Sequence, residues 1–248
     1  MTLQQFFEEN KKVALGFSGG VDSAYLLYAA KAYGADIAAY YVATPFQPRF
    51  EREDALRLAE QLGITVTVLE LDILQDSQIV ANPKNRCYFC KKRIFTAICD
   101  AANNDGYPLV MDGTNADDNC ADRPGMQALK ELGVRSPLRE AGLTKQQIRY
   151  FSKKAGLFTH DKPAYACLAT RIPTGIPITE LLLDKTERCE NFLKSLGFVD
   201  FRIRYLDGSA RIQIKADQLP LLMQYRKTIL DTLQQDYTAV LLDLEVRA

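Results

Sequence analysis

One histidine, His160, is all that 248 residues offer, so chemistry needing two histidines is excluded. A lone histidine is also more often structural than catalytic. Net charge is absent: 31 basic side chains face 31 acidic ones. That argues against a strongly basic nucleic-acid binder and leaves only a local patch open. No apolar run approaches the roughly 20 residues of a membrane span. Met1 to Asn10 lacks the basic segment and apolar core of a secretory signal, so a cytoplasmic location and no membrane partner are expected. Internal repeats and low-complexity tracts are missing. Only one C-x-x-C occurs, Cys87 to Cys90, whereas a four-cysteine zinc site needs two. In a reducing compartment the six cysteines read as metal ligands, nucleophiles or core residues rather than disulfides.

What is present centres on Ser18-Gly19-Gly20-Val21-Asp22-Ser23. The apolar run Val13–Phe17 before it reads as a buried strand, and Ala24–Ala30 after it as a helix. A helix start presents unpaired amides and partial positive charge, which suits phosphate. Gly19 and Gly20 let the backbone approach an anion without a Cβ clash. Ser18 and Ser23 add hydroxyl donors, and Asp22 can hold a Mg²⁺ that bridges phosphate oxygens. The spacing is neither that of a Walker A loop nor G-x-G-x-x-G. It resembles the PP-loop of the ATP pyrophosphatase superfamily, whose members cleave ATP to AMP and pyrophosphate.

Further strands are expected at Asp36–Val42, Thr65–Leu71 and Leu109–Met111, and helices at Glu51–Gln61 and Thr144–Lys154. Alternating strand and helix predicts an α/β fold, a doubly wound parallel sheet with helices on both faces. Ligands bind such sheets beyond the carboxyl ends of the strands, where the glycine turn sits. Composition changes at the connector Ile172–Pro177, dividing the chain into a domain over 1–171 and a smaller α+β domain over 172–248. The second domain is expected to hold a helix over about Asp184–Leu196, strands Phe201–Leu206 and Ala210–Ile214 around an Asp-Gly turn, a helix over about Gln218–Leu233, and a strand Ala239–Val246.

Several side chains could carry chemistry. Cys87 and Cys90 read as a redox dithiol, half a zinc site, iron–sulfur ligands or two core cysteines. Cys90 is expected to open a helix, where the dipole and neighbouring Lys91, Lys92 and Arg93 favour a thiolate. Cys167 sits in a stretch without clear period near the domain junction, where clefts form. Arg171 beside it can pair with a phosphate or stabilise a thiolate. Cys99 and Cys189 fall on apolar helix faces and read as core; Cys120 lies in a polar loop. Asp112, Gly113, Thr114 and Asp117 end a strand on the edge of the glycine turn and can contact the nucleotide and Mg²⁺. Asp118 and Asp122 read as solvated loop acids or caps, and Arg123 and Arg135 as cations near that edge. Arg202 and Arg204 alternate along one strand and share a face, with Arg211 across the hairpin; they can hold phosphate or line a solvated sheet.

The motifs S-G-G-V-D-S, D-G-T-N-A-D-D, R-P-G, R-S-P-L-R-E-A-G-L-T-K, A-C-L-A-T-R-I-P and F-R-I-R occur in this order. Together they resemble the LarE-type ATP-dependent sulfur transferases of nickel-pincer nucleotide cofactor synthesis, over nearly the whole chain. The resemblance implies that ATP adenylates a carboxylate of a pyridinium dicarboxylate mononucleotide, AMP leaves, and sulfur enters as a thiocarboxylate. In one branch of that family a single cysteine, matching Cys167, gives up its own sulfur. In the other, three cysteines hold a [4Fe-4S] cluster whose fourth iron carries sulfide. Cys87, Cys90 and Cys167 place this chain with the cluster branch. Catalytic roles are then expected for Cys167, Asp22 and Arg171, nucleotide contacts for Ser18–Ser23 with Asp112, Gly113, Thr114 and Asp117, and substrate-phosphate contacts for Arg171, Arg202 and Arg204. A sulfide source and a homo-oligomer are the implied partners. Sacrificial members carry acidic metal ligands in the second domain. Glu190 matches one, but Gln213 stands where another is acidic, so a metal there is not expected. Three rivals remain open: a cluster-dependent tRNA thiolase, a non-catalytic nucleotide-binding iron–sulfur module, and an amidotransferase-like ligase, which leaves the cysteines unexplained.

Overall fold

A computed structural model describes residues 1–118 and 124–245. In chain order its elements are α1 (Leu3–Glu9), β1 (Lys12–Gly16), α2 (Val21–Ala32), β2 (Asp36–Ala43), α3 (Arg49–Leu62), β3 (Val66–Glu70), α4 (Ser77–Val80), α5 (Arg86–Asn104) and β4 (Val110–Met111). They continue as α6 (Pro124–Glu131), α7 (Pro137–Glu140), α8 (Lys145–Lys154), α9 (Glu180–Ser195), β5 (Arg202–Leu206), β6 (Ser209–Gln213), α10 (Leu219–Gln224), α11 (Arg226–Leu233) and β7 (Val240–Leu242). No helix among the described residues is long and apolar enough to cross a membrane.

The chain forms two compact units, Met1–Ile73 with Asn85–Ala164, and Leu74–Lys84 with Tyr165–Ala248. In the first, four parallel strands lie in the order β3-β2-β1-β4. β1 is buried on both faces. Val13 and Leu15 pack into one layer with Phe6, Leu26 and Ile148, while Ala14 packs into another with Phe95, Ile98 and Val110. Alternate side chains serve opposite layers because the strand period is two. The expected α/β sheet is therefore what the chain builds. α3 ends on Gly63 at φ 60°, a left-handed cap that an L side chain rarely adopts.

The second unit is α+β. β5 and β6 form the antiparallel hairpin, and β7 adds to β6 in parallel. Cys189, Leu193, Phe198, Ile203, Ile212 and Leu233 fill its core. The expected boundary after Arg171 falls inside this unit, which begins at Tyr165 and also takes in 74–84. Asn82 explains the second part: its side-chain amide donates to the carbonyls of Pro173 and Ile176 at 2.8 and 3.0 Å.

Other boundaries differ from the sequence reading. α1 was not anticipated; its Thr2 and Gln5 form a capping box. α5 opens at Arg86, so Cys90 lies in its second turn rather than at its start. α9 starts at Glu180, because the Thr179 side chain caps it by accepting from Leu182 N. The single helix expected over Gln218–Leu233 is broken at Tyr225 into α10 and α11. β7 covers only Val240–Leu242 of the expected last strand, and Val246 is outside the described residues.

Candidate active site

The turn between β1 and α2 is shaped by its own side chains. Ser23 Oγ accepts from Ser18 N at 3.3 Å, lies 3.0 Å from Ser18 Oγ and donates to Gly20 O at 3.2 Å. Gly19 has φ 69°, and a Cβ there would meet Ala55 Cβ at 2.8 Å. Both conformation and space require glycine. Gly20 is the N-cap of α2 and supplies no side-chain cap, so the first-turn amides are left for a ligand's oxygens.

Opposite the turn, Gly113 follows β4 so closely that a Cβ would stand 3.0 Å from Ser23 N. Asp112 is buried and acts as a brace. Its carboxylate accepts from Thr114 Oγ1, from Thr114 N at 3.3 Å and from Ser136 Oγ at 2.6 Å, with Lys91 Nζ at 3.7 Å. Asp117 accepts from Lys145 N at 2.7 Å, capping α8. Asp22 receives Asn115 Nδ2 at 3.3 Å on one oxygen and pairs with Lys145 Nζ through the other. From sequence, Lys145, Asn115 and Ser136 carry no role, and Lys91 is expected only to favour a thiolate at Cys90. They lie up to 123 positions from Asp22, and no local pattern links them.

These elements enclose a cavity of about 640 Å³ beyond the carboxyl ends of β1 and β2. Ser18, Gly20, Asp22 and Ser23 line one side, Asp112, Gly113, Thr114 and Asp118 another, and Cys87, Lys91 and Phe95 of α5 a third. The volume suits a nucleotide-sized ligand. Asp118, read as a solvated acid, thus lines the cavity, and Asp117 is exposed at the cap. Cys87 is exposed and Cys90 half-buried, three positions apart on one face of α5. Tyr88 Oη and Lys92 Nζ both bind Glu131 of α6, at 2.8 and 3.0 Å. Cys120, Asp122 and Arg123 lie outside the described residues.

Cys167 belongs to the second unit, at the start of a short helical turn over Leu168–Arg171. Arg171 is 1% exposed and Glu190, on α9, 5%. Arg171 Nε and Nη2 bind the two Glu190 oxygens at 2.8 and 3.0 Å. Burial lowers the Arg171 pKa, but the hydrogen bonds and charge of Glu190 outweigh it and hold it above the ordinary value. Burial, then the Glu190 charge, pushes the Tyr165 phenol well up. Arg202 is buried, with its guanidinium carbon 4.9 Å from the Tyr165 ring centroid. Arg204 donates to Gln213 Oε1 at 2.6 Å and to Thr170 O at 2.7 Å. Arg204 and Arg211 are cross-strand partners, and Arg211 is 3.4 Å from Asp243.

Cys99 packs against the α5 side of the sheet, and Cys189 is in the second core, where burial and then Asp236 push its thiol up to about 12. His160 Nδ1 lies 3.2 Å from Leu157 O, a local structural contact. The described cysteines form no disulfide.

Magnesium takes oxygen ligands and keeps several waters; the Asp22 carboxylate on the cavity wall fits that donor set. An iron–sulfur cluster takes thiolates, which suits Cys87, Cys90 and Cys167 by donor chemistry. The first unit supplies only the first two of these, and among the described residues no three His, Cys, Asp or Glu form a group that could hold a metal.

A family model described as NAD synthase matches residues 3–88, the part of the chain with the glycine turn. An uncharacterized protein of Synechocystis is 38% identical over 90% of this chain and 83% of its own length. The pyridinium-3,5-bisthiocarboxylic acid mononucleotide synthase of Lactiplantibacillus plantarum is 33% identical over 86% of this chain and 78% of its own length. The chain belongs to this synthase family. A tRNA-specific 2-thiouridylase of Pseudothermotoga lettingae is 29% identical over 61% of this chain and 54% of its own length, a more partial likeness. As a LarE-type synthase relative, the chain is an ATP-using sulfurtransferase of the PP-loop superfamily.

Proposed function

We propose that this enzyme adenylates a carboxylate of a pyridinium dicarboxylate mononucleotide and converts it to a thiocarboxylate. The observation that carries the reading is one cavity lined by Ser18, Gly20, Asp22 and Ser23 of the turn together with Cys87. The α2 amides and the Ser18 and Ser23 hydroxyls bind the ATP phosphates, and Asp22 supplies a carboxylate for Mg²⁺. A substrate carboxylate oxygen attacks the α-phosphorus, and pyrophosphate leaves. Sulfide then attacks the acyl carbon, and AMP leaves with the C–O bond electrons. Cys87, Cys90 and Cys167 would hold a [4Fe-4S] cluster, which when bound supplies an iron open to hydrosulfide. Arg202 and Arg204 hold the substrate phosphate. The working form is a cytoplasmic homo-oligomer supplied by a sulfide source.

Anaerobically purified protein, given ATP, Mg²⁺, sulfide and the dicarboxylate mononucleotide, should release pyrophosphate and AMP and yield a product heavier by the replacement of oxygen with sulfur. Asp22→Ala should abolish pyrophosphate release without altering the circular dichroism spectrum; unchanged turnover would refute the assignment. Thiolation of added tRNA in place of the mononucleotide would favour the tRNA thiolase. No pyrophosphate release with either acceptor would favour the non-catalytic module. Loss of the mass of H₂S from the protein after one turnover would replace the cluster with a sacrificial Cys167.

A further inference from the structure

We propose that the buried Arg171–Glu190 pair is a positioning device for Cys167, in which Glu190 acts through Arg171, and that Glu190 is not a metal ligand in this chain. The proposal rests on the reading that Cys167 serves sulfur transfer. After Nε and Nη2 bind Glu190, Arg171 Nη1 donates to Ala166 O at 2.9 Å, to Thr170 Oγ1 at 2.9 Å and, more weakly, to Cys167 O at 3.4 Å. Thr170 N and Oγ1 close the same turn on Cys167 O at 3.0 and 2.8 Å. The backbone on both sides of the thiol is therefore held by a guanidinium whose orientation is fixed from α9. Arg171 also lies over the Tyr165 ring, 4.6 Å from its centroid, and the Tyr165 hydroxyl donates to Glu190.

Glu190 has no capacity left for a cation. Besides its two bonds from Arg171 it accepts from Tyr165 Oη and from Ile203 N at 2.9 Å. Four donors fill the roughly four acceptor sites of a carboxylate. A metal would displace at least one donor and leave it buried and unpaired, which is costly. Stability alone does not account for the pair, because well-packed apolar side chains of similar volume usually serve as well as a buried ion pair.

The test is the rate of Cys167 alkylation by iodoacetamide at one fixed pH, read by peptide mass spectrometry beside urea unfolding of the same full-length protein. The double variant Arg171→Met with Glu190→Met should unfold near the parent's urea midpoint. In it, the alkylation rate should change several-fold. A parent-like rate in this folded double variant would overturn the proposal. Should the double variant not fold, Arg171→Lys decides. It keeps the charge but not the fork that reaches Ala166 and Cys167. Its alkylation rate should also change several-fold; an unchanged rate overturns the proposal. Co²⁺ alone, titrated by its absorption spectrum, should find the same sites in Glu190→Gln as in the parent, and loss of a site would also overturn it. Alkylation does not depend on turnover. A parent that transfers no sulfur would therefore defeat the functional reading while leaving this result separately legible.

Discussion

Two ion pairs, one in each unit, do opposite things. Asp22–Lys145 sits at the cavity with side chains 21% and 32% exposed; Glu190–Arg171 is sealed, at 5% and 1%. The first can exchange partners at little cost, Lys145 turning to a phosphate and Asp22 to a cation, since half-open pairs contribute little to stability. The second cannot let go, because each charge would be left in a low-dielectric interior. The two turns they serve differ in the same way. The Ser18–Ser23 turn is made by hydroxyls and glycine and keeps its amides available, whereas the Cys167 turn is held by a charged side chain on its carbonyls. One turn is built to receive a ligand, the other to fix a residue.

Breaking the sealed pair should have the largest effect. Glu190→Ala is expected to cost about 3–5 kcal/mol in urea unfolding, because it strands the Arg171 charge. A loss below that of an exposed pair would erase the contrast. Next, Lys145→Met should reverse the pattern: its stability cost should stay under about 1 kcal/mol. Pyrophosphate release should meanwhile fall about a hundredfold, as for removal of one donor to developing charge. Steady-state kinetics beside a melt separates the two quantities.

A pH effect should distinguish the second core. Burial raises the Cys189 thiol from 9.0 to about 12. A group whose folded pKa is raised contributes stability that is complete below its unfolded pKa and is lost as pH climbs toward the folded one. The contribution should therefore decline above pH 9 with a slope of about 1.4 kcal/mol per pH unit, and Cys189→Ala should remove that part of the slope. Denaturant titrations between pH 8 and 10 measure it. The smallest effect is expected at the N-cap of α8, where Thr144 accepts from Gln147 N at 3.3 Å. Thr144→Ala should cost about 1 kcal/mol. A larger fall in pyrophosphate release than in stability would mean that the cap also aims Lys145.

Most of the parallel sheet could be read from apolar runs and their spacing, because β1 and the second half of β2 are continuous buried runs. The glycine turn was equally legible, since Gly19 is demanded by a local conformation and a close neighbour. The helix Leu3–Glu9 carries its own signals, the T-x-x-Q box and the apolar residues Leu3, Phe6 and Phe7 at helical spacing. The break at Tyr225 has no glycine or proline to announce it. The roles of Lys145 and Glu190 were not legible at all. Each depends on a partner far along the chain, 123 positions for Asp22 and 19 for Arg171, and no periodicity encodes such pairings. Sequence reading found Arg171 for its charge and expected that charge to meet a substrate; in the structure the protein's own carboxylate takes it first.

Asn82 has a consequence for how this protein is made. It adopts φ 53° and donates to the carbonyls of Pro173 and Ile176, tying 74–84 to chain that follows some ninety positions later. During synthesis that short segment emerges long before its partners exist, while the first unit is still incomplete. The nascent chain must hold α4 in waiting until the ribosome has delivered the connector beyond Arg171. A fragment ending at Ala164 would carry this segment without the Pro173 and Ile176 carbonyls that Asn82 binds.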